Sequence, residues 1–369
     1  MGVGQRKIVL EGEGIFRYLL GPMQLKTREL KVDGYEKVVA CEEASTGLNA
    51  IIAIHNSNLG PACGGVRLLP YSTFNEATDD VLRLSKGMSY KSSLAGIGFG
   101  GGKSVIILDP TKKSKPIFEA FGEFVQSLNG LYIAAKDMNI DSDDLRIVKT
   151  KTKHVLGIEG DKGSGGDPSP VTARGAFQAF KATAEEVFGS QNLKGLKLAI
   201  QGIGHVGYAF AELAKQAGCE LTVTDISETQ LKKAEKELGA KVVGPDEIYQ
   251  VACDVFSPNA RGAILNEKTI PQLKCKAVCG SANNQLLTPQ NGMQLFERGI
   301  LYAPDYAVNA GGIINIFSEY EGYDQKRAFA MADKIYGTMK EIFKRSKLQK
   351  KAPFIIADEL AEERIYGGK

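Results

Sequence analysis

Gly202-Ile-Gly204-His-Val-Gly207 joins a short apolar run at 196–200 to an apolar, helix-like stretch that reaches about Ala217. A glycine-rich turn that carries a buried strand straight into a helix constrains the fold strongly, because it belongs to a parallel sheet with crossover helices on its faces. The glycines permit a tight turn and close backbone approach, and the helix N-terminus offers its free N–H groups to an anion such as a pyrophosphate. The next strand-like run, 221–224, ends at Asp225, the spacing at which an acid meets the ribose hydroxyls of a dinucleotide. No arginine follows directly in Ile226-Ser227-Glu228, so a 2′-phosphate meets a carboxylate without a cationic partner. This favours NAD over NADP. His205 reads as a polar turn residue beside the phosphates, not as an acid–base group.

The rest of the chain fits that pattern. Strand-like runs near 254–256 and 277–279 alternate with helices in the second half. In the first half, 37–40, 50–54, 105–108 and 131–135 read as members of about five strands, with a helix near 115–128. Thr73 begins a capping box with Glu76 and opens a helix that carries Ala77, Val81, Leu84 and Met88 on one face. The Gly-, Pro- and Asp-rich stretch 159–170 separates the halves and is the expected hinge. The 369 residues suffice for roughly two domains. The expected architecture is α/β, with domains at 1–160 and 161–324, a cleft between them, and helices from about 325 to 369 packing back on the first.

The stretch Lys91-Ser-Ser-Leu-Ala-Gly-Ile-Gly-Phe-Gly-Gly-Gly-Lys103 is the second informative feature. The consecutive glycines Gly100, Gly101 and Gly102 read as a bare turn into an apolar strand, kept bare so that something can approach closely. A lysine flanks each side. Lys91 follows Met88 by three residues and points to the same side of the helix. Two ammonium groups aimed at one cleft lower each other's pKa unless an anion lies between them. That suits a site in which one lysine holds a carboxylate and the other acts as a base.

Composition excludes several classes. The net charge is +3, from 46 basic and 43 acidic residues that are interspersed, which is no nucleic-acid footprint. The six cysteines form no Cys-x-x-Cys pair and have no companion histidines, so no metal site is expected and free thiols in a reducing compartment are. No apolar run approaches the length of a membrane span and no signal-peptide core is visible, which gives a cytoplasmic expectation. His55 and His154 read as structural.

From about Glu36 to Arg364 the chain closely resembles the glutamate/leucine/valine/phenylalanine dehydrogenase superfamily, and most of all its leucine dehydrogenase branch. The motifs are Leu59-Gly-Pro-Ala-Cys-Gly-Gly65, Lys86-Gly-Met-Ser-Tyr-Lys91, Gly100-Gly-Gly-Lys103, Ala134-Ala-Lys-Asp137, Gly280-Ser-Ala-Asn-Asn-Gln285 and Pro304-Asp-Tyr-Ala-Val-Asn-Ala-Gly-Gly312. The resemblance implies a first domain for substrate binding and oligomerisation and a Rossmann-type NAD-binding domain. It also implies reversible, NAD-dependent oxidative deamination of an L-amino acid to its 2-oxo acid and ammonia, in a homo-oligomer, commonly an octamer built from dimers. On the family's pattern Lys91 binds the α-carboxylate, Lys103 activates water, and Asp137 exchanges protons with the amino nitrogen. Gly64 and Gly65 line the floor, Asn309 lies near the substrate, Asn284 near the nicotinamide, and Thr172 helps to position the cofactor. Residues 1–22 precede the family's pattern and receive no role.

The same pattern assigns the substrate side chain to Cys63, Met88, Ala135, Ile313 and Ile316. With no lysine or serine pair for a γ-carboxylate, glutamate is rejected and leucine, isoleucine and valine are favoured. Cys63 departs from the usual aliphatic residue, and Arg67-Leu-Leu-Pro-Tyr71 together with Asn283-Asn284-Gln285 resemble aromatic-specific relatives. A phenylalanine or tryptophan dehydrogenase is therefore the alternative, and a non-catalytic sensor of amino acid or NADH a remote one.

Overall fold

The structure is a computed structural model that describes residues 16–20 and 23–367. Its first sheet has seven strands, β1 (Phe16–Leu20), β2 (Met23–Glu29), β3 (Lys37–Glu43), β4 (Leu48–Asn56), β5 (Ala62–Leu69), β6 (Gly100–Ile107) and β7 (Tyr132–Lys136), in the order β1-β2-β3-β4-β6-β5-β7. Neighbours are antiparallel from β1 through β4 to β6, and β6, β5 and β7 run parallel. Helices α1 (Phe74–Ala95), α2 (Lys115–Ser127) and α3 (Ser142–Lys149) cover it. Alternate residues of the central strands serve opposite faces. Val39, Cys41, Ile52 and Ile54 pack with Phe118 and Phe121 of α2, whereas Val38, Ala40, Ile51 and Ala53 pack with Ala77 and Val81 of α1. A strand buried on both faces reads as an unbroken apolar run, which is why 50–54 does.

Strand β5 is absent from the sequence reading, because Ala62-Cys-Gly-Gly65 has the composition of a loop. It is nevertheless central, between β6 and β7. Glycine is required there: a Cβ on Gly64 would lie 1.8 Å from the Gly102 carbonyl oxygen.

The triple glycine also differs from expectation. It is the first part of strand β6, not a turn, and what approaches it is the protein itself. A Cβ on Gly101 would lie 2.1 Å from Ser89 N of α1, and one on Gly102 would lie 2.7 Å from the Tyr132 ring. Helix α1 begins as expected, with Thr73 Oγ1 accepting from Glu76 N at 3.0 Å. Its buried stripe combines Ala77 and Val81 with small polar residues, Ser85, Ser89 and Ser92, which let helix and strand meet backbone to backbone. Leu84 and Met88 lie beside that stripe and are only half-buried.

The second sheet has six strands, all parallel: β8 (Lys197–Gln201), β9 (Glu220–Thr224), β10 (Lys241–Val242), β11 (Val255–Pro258), β12 (Ala277–Val278) and β13 (Leu301–Tyr302). Their order, β10-β9-β8-β11-β12-β13, is that of a doubly wound dinucleotide-binding sheet, with the switch point between β8 and β11. Helices α4 (Ser169–Phe188), α5 (His205–Gln216), α6 (Glu228–Leu238) and α7 (Pro289–Glu297) flank it, followed by α8 (Asp305–Val308), α9 (Gly311–Tyr320), α10 (Gln325–Asp333), α11 (Ile335–Gln349) and α12 (Pro353–Tyr366). The last of these lies on α1, where Ser93 Oγ donates to the Ala361 carbonyl at 3.0 Å. Among the described residues no helix is long and apolar enough to cross a membrane.

Candidate active site

Helix α1 and strand β6 bring the two lysines to one cleft. Lys103, in the middle of β6, is buried, and its Nζ lies 2.6 Å from Asp137 Oδ2, just beyond the end of β7. Gly65 makes room for this pair, since a Cβ there would come 2.6 Å from Asp137 Cβ and 3.2 Å from Lys103 Nζ. Burial lowers the Lys103 pKa and Asp137 opposes that. Burial raises the Asp137 carboxyl, but the charges of Lys103 and Arg67 outweigh it and hold it below the usual carboxylate range. Lys91, half-buried on α1, has its pKa lowered to about 8, chiefly by burial, with Asp305 opposing and Lys103 adding.

A cavity of about 330 Å³ opens onto these groups. Gly64, Gly65, Met88, Lys91, Lys103, Ala135, Asp137, Thr172, Asn309, Ile313 and Ile316 all line it, so the structure gathers residues that lie far apart in the chain. An adjoining cavity of about 400 Å³ shares Met88, Lys91, Lys103 and Asp137 and extends toward Arg83, Lys86 and Asp358.

One residue expected beside the substrate, Cys63, and one expected beside the nicotinamide, Asn284, do not line the inner cavity. Cys63 is fully buried in the core and lines neither cavity. Asn284, with φ of 52°, lines only the outer cavity. Its neighbour takes the inner place: Asn283 Oδ1 accepts from Lys91 Nζ at 3.1 Å and from Asn309 Nδ2 at 2.9 Å. Asn309 Oδ1 is buried with no partner among the described residues, an acceptor suited to an ammonium group.

Other groups at the cleft escaped the sequence reading. Asp305 is buried and accepts from Gln285 N at 2.7 Å, closing the loop that carries Asn283, and it is the carboxylate opposite Lys91. Arg67 Nε lies 3.1 Å from Asp137 Oδ2. Glu319 of α9 accepts from Gly157 N and Gly165 N, each at 3.0 Å, and so fixes the segment whose Gly157 and Gly166 form one side of the cavity. Arg67, Asn283 and Asp305 lie inside or beside recognisable motifs, but nothing local shows which charge each one meets.

At the C-terminal ends of β8 and β9 the glycine turn is built as a dinucleotide cradle requires. Gly202 has φ of 91°, and a Cβ there would lie 2.5 Å from Ala260 Cβ. A Cβ on Gly207 would lie 2.1 Å from the Gly202 carbonyl oxygen. By contrast, a Cβ on Gly204 would meet nothing within 4 Å, so packing within the fold does not require this glycine. Asp225 follows β9, and its carboxylate accepts from Ile203 N at 2.8 Å and Ser227 N at 2.9 Å. Val206 of the turn lines the inner cavity, which links the cradle to the two lysines.

Residues 36–154 match the Glu/Leu/Phe/Val dehydrogenase dimerisation domain, and residues 221–352 match Glutamate/Leucine/Phenylalanine/Valine dehydrogenase. The chain is 47% identical over 332 residues to the leucine dehydrogenase of Geobacillus stearothermophilus, covering 90% of each. It belongs to the Glu/Leu/Phe/Val dehydrogenase family. It is 49% identical over 324 residues to a phenylalanine dehydrogenase of Lysinibacillus sphaericus, covering 86% of this chain and 85% of that one. The crystal structure of L-tryptophan dehydrogenase from Nostoc punctiforme superposes with a TM-score of 0.84 at 42% identity, covering 90% of this chain and 96% of the other. Membership in this family makes the chain an amino acid dehydrogenase, with the N-terminal sheet as its dimerisation domain.

Proposed function

We propose that the chain catalyses the reversible, NAD-dependent oxidative deamination of branched-chain aliphatic L-amino acids, leucine, isoleucine and valine, as a homo-oligomer. The carrying observation is one cavity that combines Lys91, the Lys103–Asp137 pair and an apolar wall of Met88, Ala135, Ile313 and Ile316. The one further lysine on its lining, Lys136, is paired with Glu159, so a substrate γ-carboxylate has no uncommitted cation there. Burying it unpaired costs several kcal/mol or more.

The chain's own groups divide the work. Lys91 and Asn283 bind the α-carboxylate end and set the amino acid's orientation. Asn309 accepts from the ammonium, and Asp137, kept ionised by Lys103 and Arg67, takes a proton from it. Gly204, Thr172 and Val206 would hold NAD, which would supply the hydride acceptor. Lys103, its pKa lowered by burial, then removes a proton from water as it attacks the imino carbon, and Asp137 returns a proton to the departing nitrogen. Asp225, with no arginine in the three residues after it, selects a free 2′-hydroxyl. Closure about the segment 159–170 excludes water from the imine.

Incubating the purified protein with NAD and a panel of L-amino acids tests this reading. NADH forms with leucine, isoleucine and valine; turnover of phenylalanine and tryptophan alone assigns the pocket to aromatic substrates and overturns it.

A further inference from the structure

Asp137 does not meet Lys103 alone. Lys103 Nζ at 2.6 Å and Arg67 Nε at 3.1 Å converge on the same oxygen, Oδ2. Arg67 is itself held: its terminal nitrogen lies 3.0 Å from Asp80 Oδ2, and the Tyr71 hydroxyl donates to that oxygen at 2.7 Å. Asp80 Oδ1 is taken by Arg83 at 2.8 Å. The chain Arg83–Asp80–Arg67–Asp137–Lys103 therefore runs from the exposed surface of α1 across β5 into the reacting centre.

Such a chain restrains as well as neutralises. The guanidinium is planar and carries its donors in a rigid fork, so two carboxylates bound to it cannot swing independently. Side-chain exposures of 16%, 17% and 23% for Arg67, Asp80 and Asp137 place the network where ion pairs are only weakly screened.

On the reading of the site given above, we propose that Arg67 is a positioning residue for Asp137, and that Asp80 and Tyr71 hold Arg67 in that role. The network has two consequences. It commits Oδ2 to the two cations and so orients the carboxylate toward the substrate nitrogen. It also sets the charge felt by the Lys103–Asp137 pair, with Arg67, on the lining of the outer cavity, favouring loss of the Lys103 proton and Asp80, behind it, opposing that loss. The other polar or charged groups around the pair are Lys91 on α1, whose own counter-charge is Asp305, and Cys63 and Tyr132 on the neighbouring strands.

The test uses the full-length protein and the variants Arg67→Met, Arg67→Lys and Asp80→Asn. The first readout is the pH profile of kcat/KM with NAD and L-leucine. The second, independent of turnover, is competitive acetylation of Lys103 by acetic anhydride at stepped pH, quantified by peptide mass spectrometry. Removing the Arg67 charge moves the Lys103 midpoint and the activity limb upward by about one pH unit, and removing the Asp80 charge moves them downward. Arg67→Lys keeps the wild-type midpoint but, lacking the fork, lowers kcat at least tenfold with KM little changed. Midpoints that coincide in all four proteins, with activity lost uniformly across pH, reduce the network to scaffolding and overturn the proposal. Should Arg67→Met fail to fold, the downward shift in Asp80→Asn and the kcat loss in Arg67→Lys decide the matter. Wild-type protein that titrates as described but forms no NADH refutes the assigned reaction and not the network.

Discussion

Lys103 Nζ and Asp137 Oδ2 stand 2.6 Å apart in a recess that Gly65 leaves open. The acid and the base of the proposed reaction are thus a single ion pair, built from two parallel strands on either side of β5. Lys103 helps to keep the Asp137 carboxyl ionised, burial and not Asp137 lowers the Lys103 pKa, and removing either partner leaves a poorly solvated charge behind.

Lys103→Ala is therefore expected to lower kcat by about 10³-fold, within the range assigned to general acid–base groups. Cofactor binding, which depends on a different sheet, stays within about twofold of the wild type. Steady-state kinetics and NADH fluorescence titration on the same preparation check both halves. A variant retaining a tenth of wild-type kcat removes Lys103 from the chemistry.

The Lys91 pKa of about 8, against 10.5 for the ordinary side chain, has a definite sign. Between these two values the folded chain binds fewer protons than the unfolded one. This group's share of stability therefore rises with pH across that window and is flat, at its least favourable, below it. A bound carboxylate reverses the preference by favouring the charged lysine. Binding of a 2-oxo acid is accordingly expected to take up a proton near pH 8.5 and to weaken up to about tenfold per unit above that. Isothermal calorimetry in buffers of different ionisation enthalpy measures the uptake. Affinity that stays constant from pH 7 to 10 contradicts the role given to Lys91.

Two glycine substitutions separate fold from function. In Gly101→Ala the new methyl lies 2.1 Å from Ser89 N, so helix and strand must part. The expected cost is about 1–3 kcal/mol, read as a lower midpoint of denaturant unfolding. Gly204→Ala adds its methyl to open space at an ordinary φ of −66°, so unfolding is unchanged while the Kd for NADH rises at least tenfold. Equal effects of the two on both measurements would refute the cradle.

Ile313 and Ile316 occupy successive turns of α9 on one side of the cavity. Ile316→Ala removes three carbons from that wall. We expect leucine kcat/KM to fall by about 10–200-fold, the scale of lost apolar contacts in a specificity pocket, and phenylalanine turnover to rise. Unaltered ratios between the two substrates place the side chain elsewhere.

Sequence carried the second sheet well, because a strand, a glycine turn, an apolar helix and an acid at the right interval are all local signals. Residues 205–216 and 220–224 form the helix and strand read there, and the Thr73 cap starts α1 as expected. It carried the first sheet less well. Glycines that serve close packing look the same on paper as glycines that serve a turn, so β5 went unseen and Gly100 to Gly102 were misplaced. Most of the cavity residues were legible only through family motifs. Arg67, Asn283 and Asp305 were not, because their significance lies in partners 70, 192 and 214 positions away in the chain.

The contact of Ser89 with the space above Gly101 means that Lys91 and Lys103 ride on one rigid block of helix and strand. Of the proposed hydrophobic boundary only Met88 belongs to that block; Ile313 and Ile316 come from α9 and Ala135 from β7. Substrate range can thereby be altered from α9 without touching the block that carries the two lysines. A library that seeks new substrates therefore starts at positions 313 and 316, which lie on neither element of that chassis.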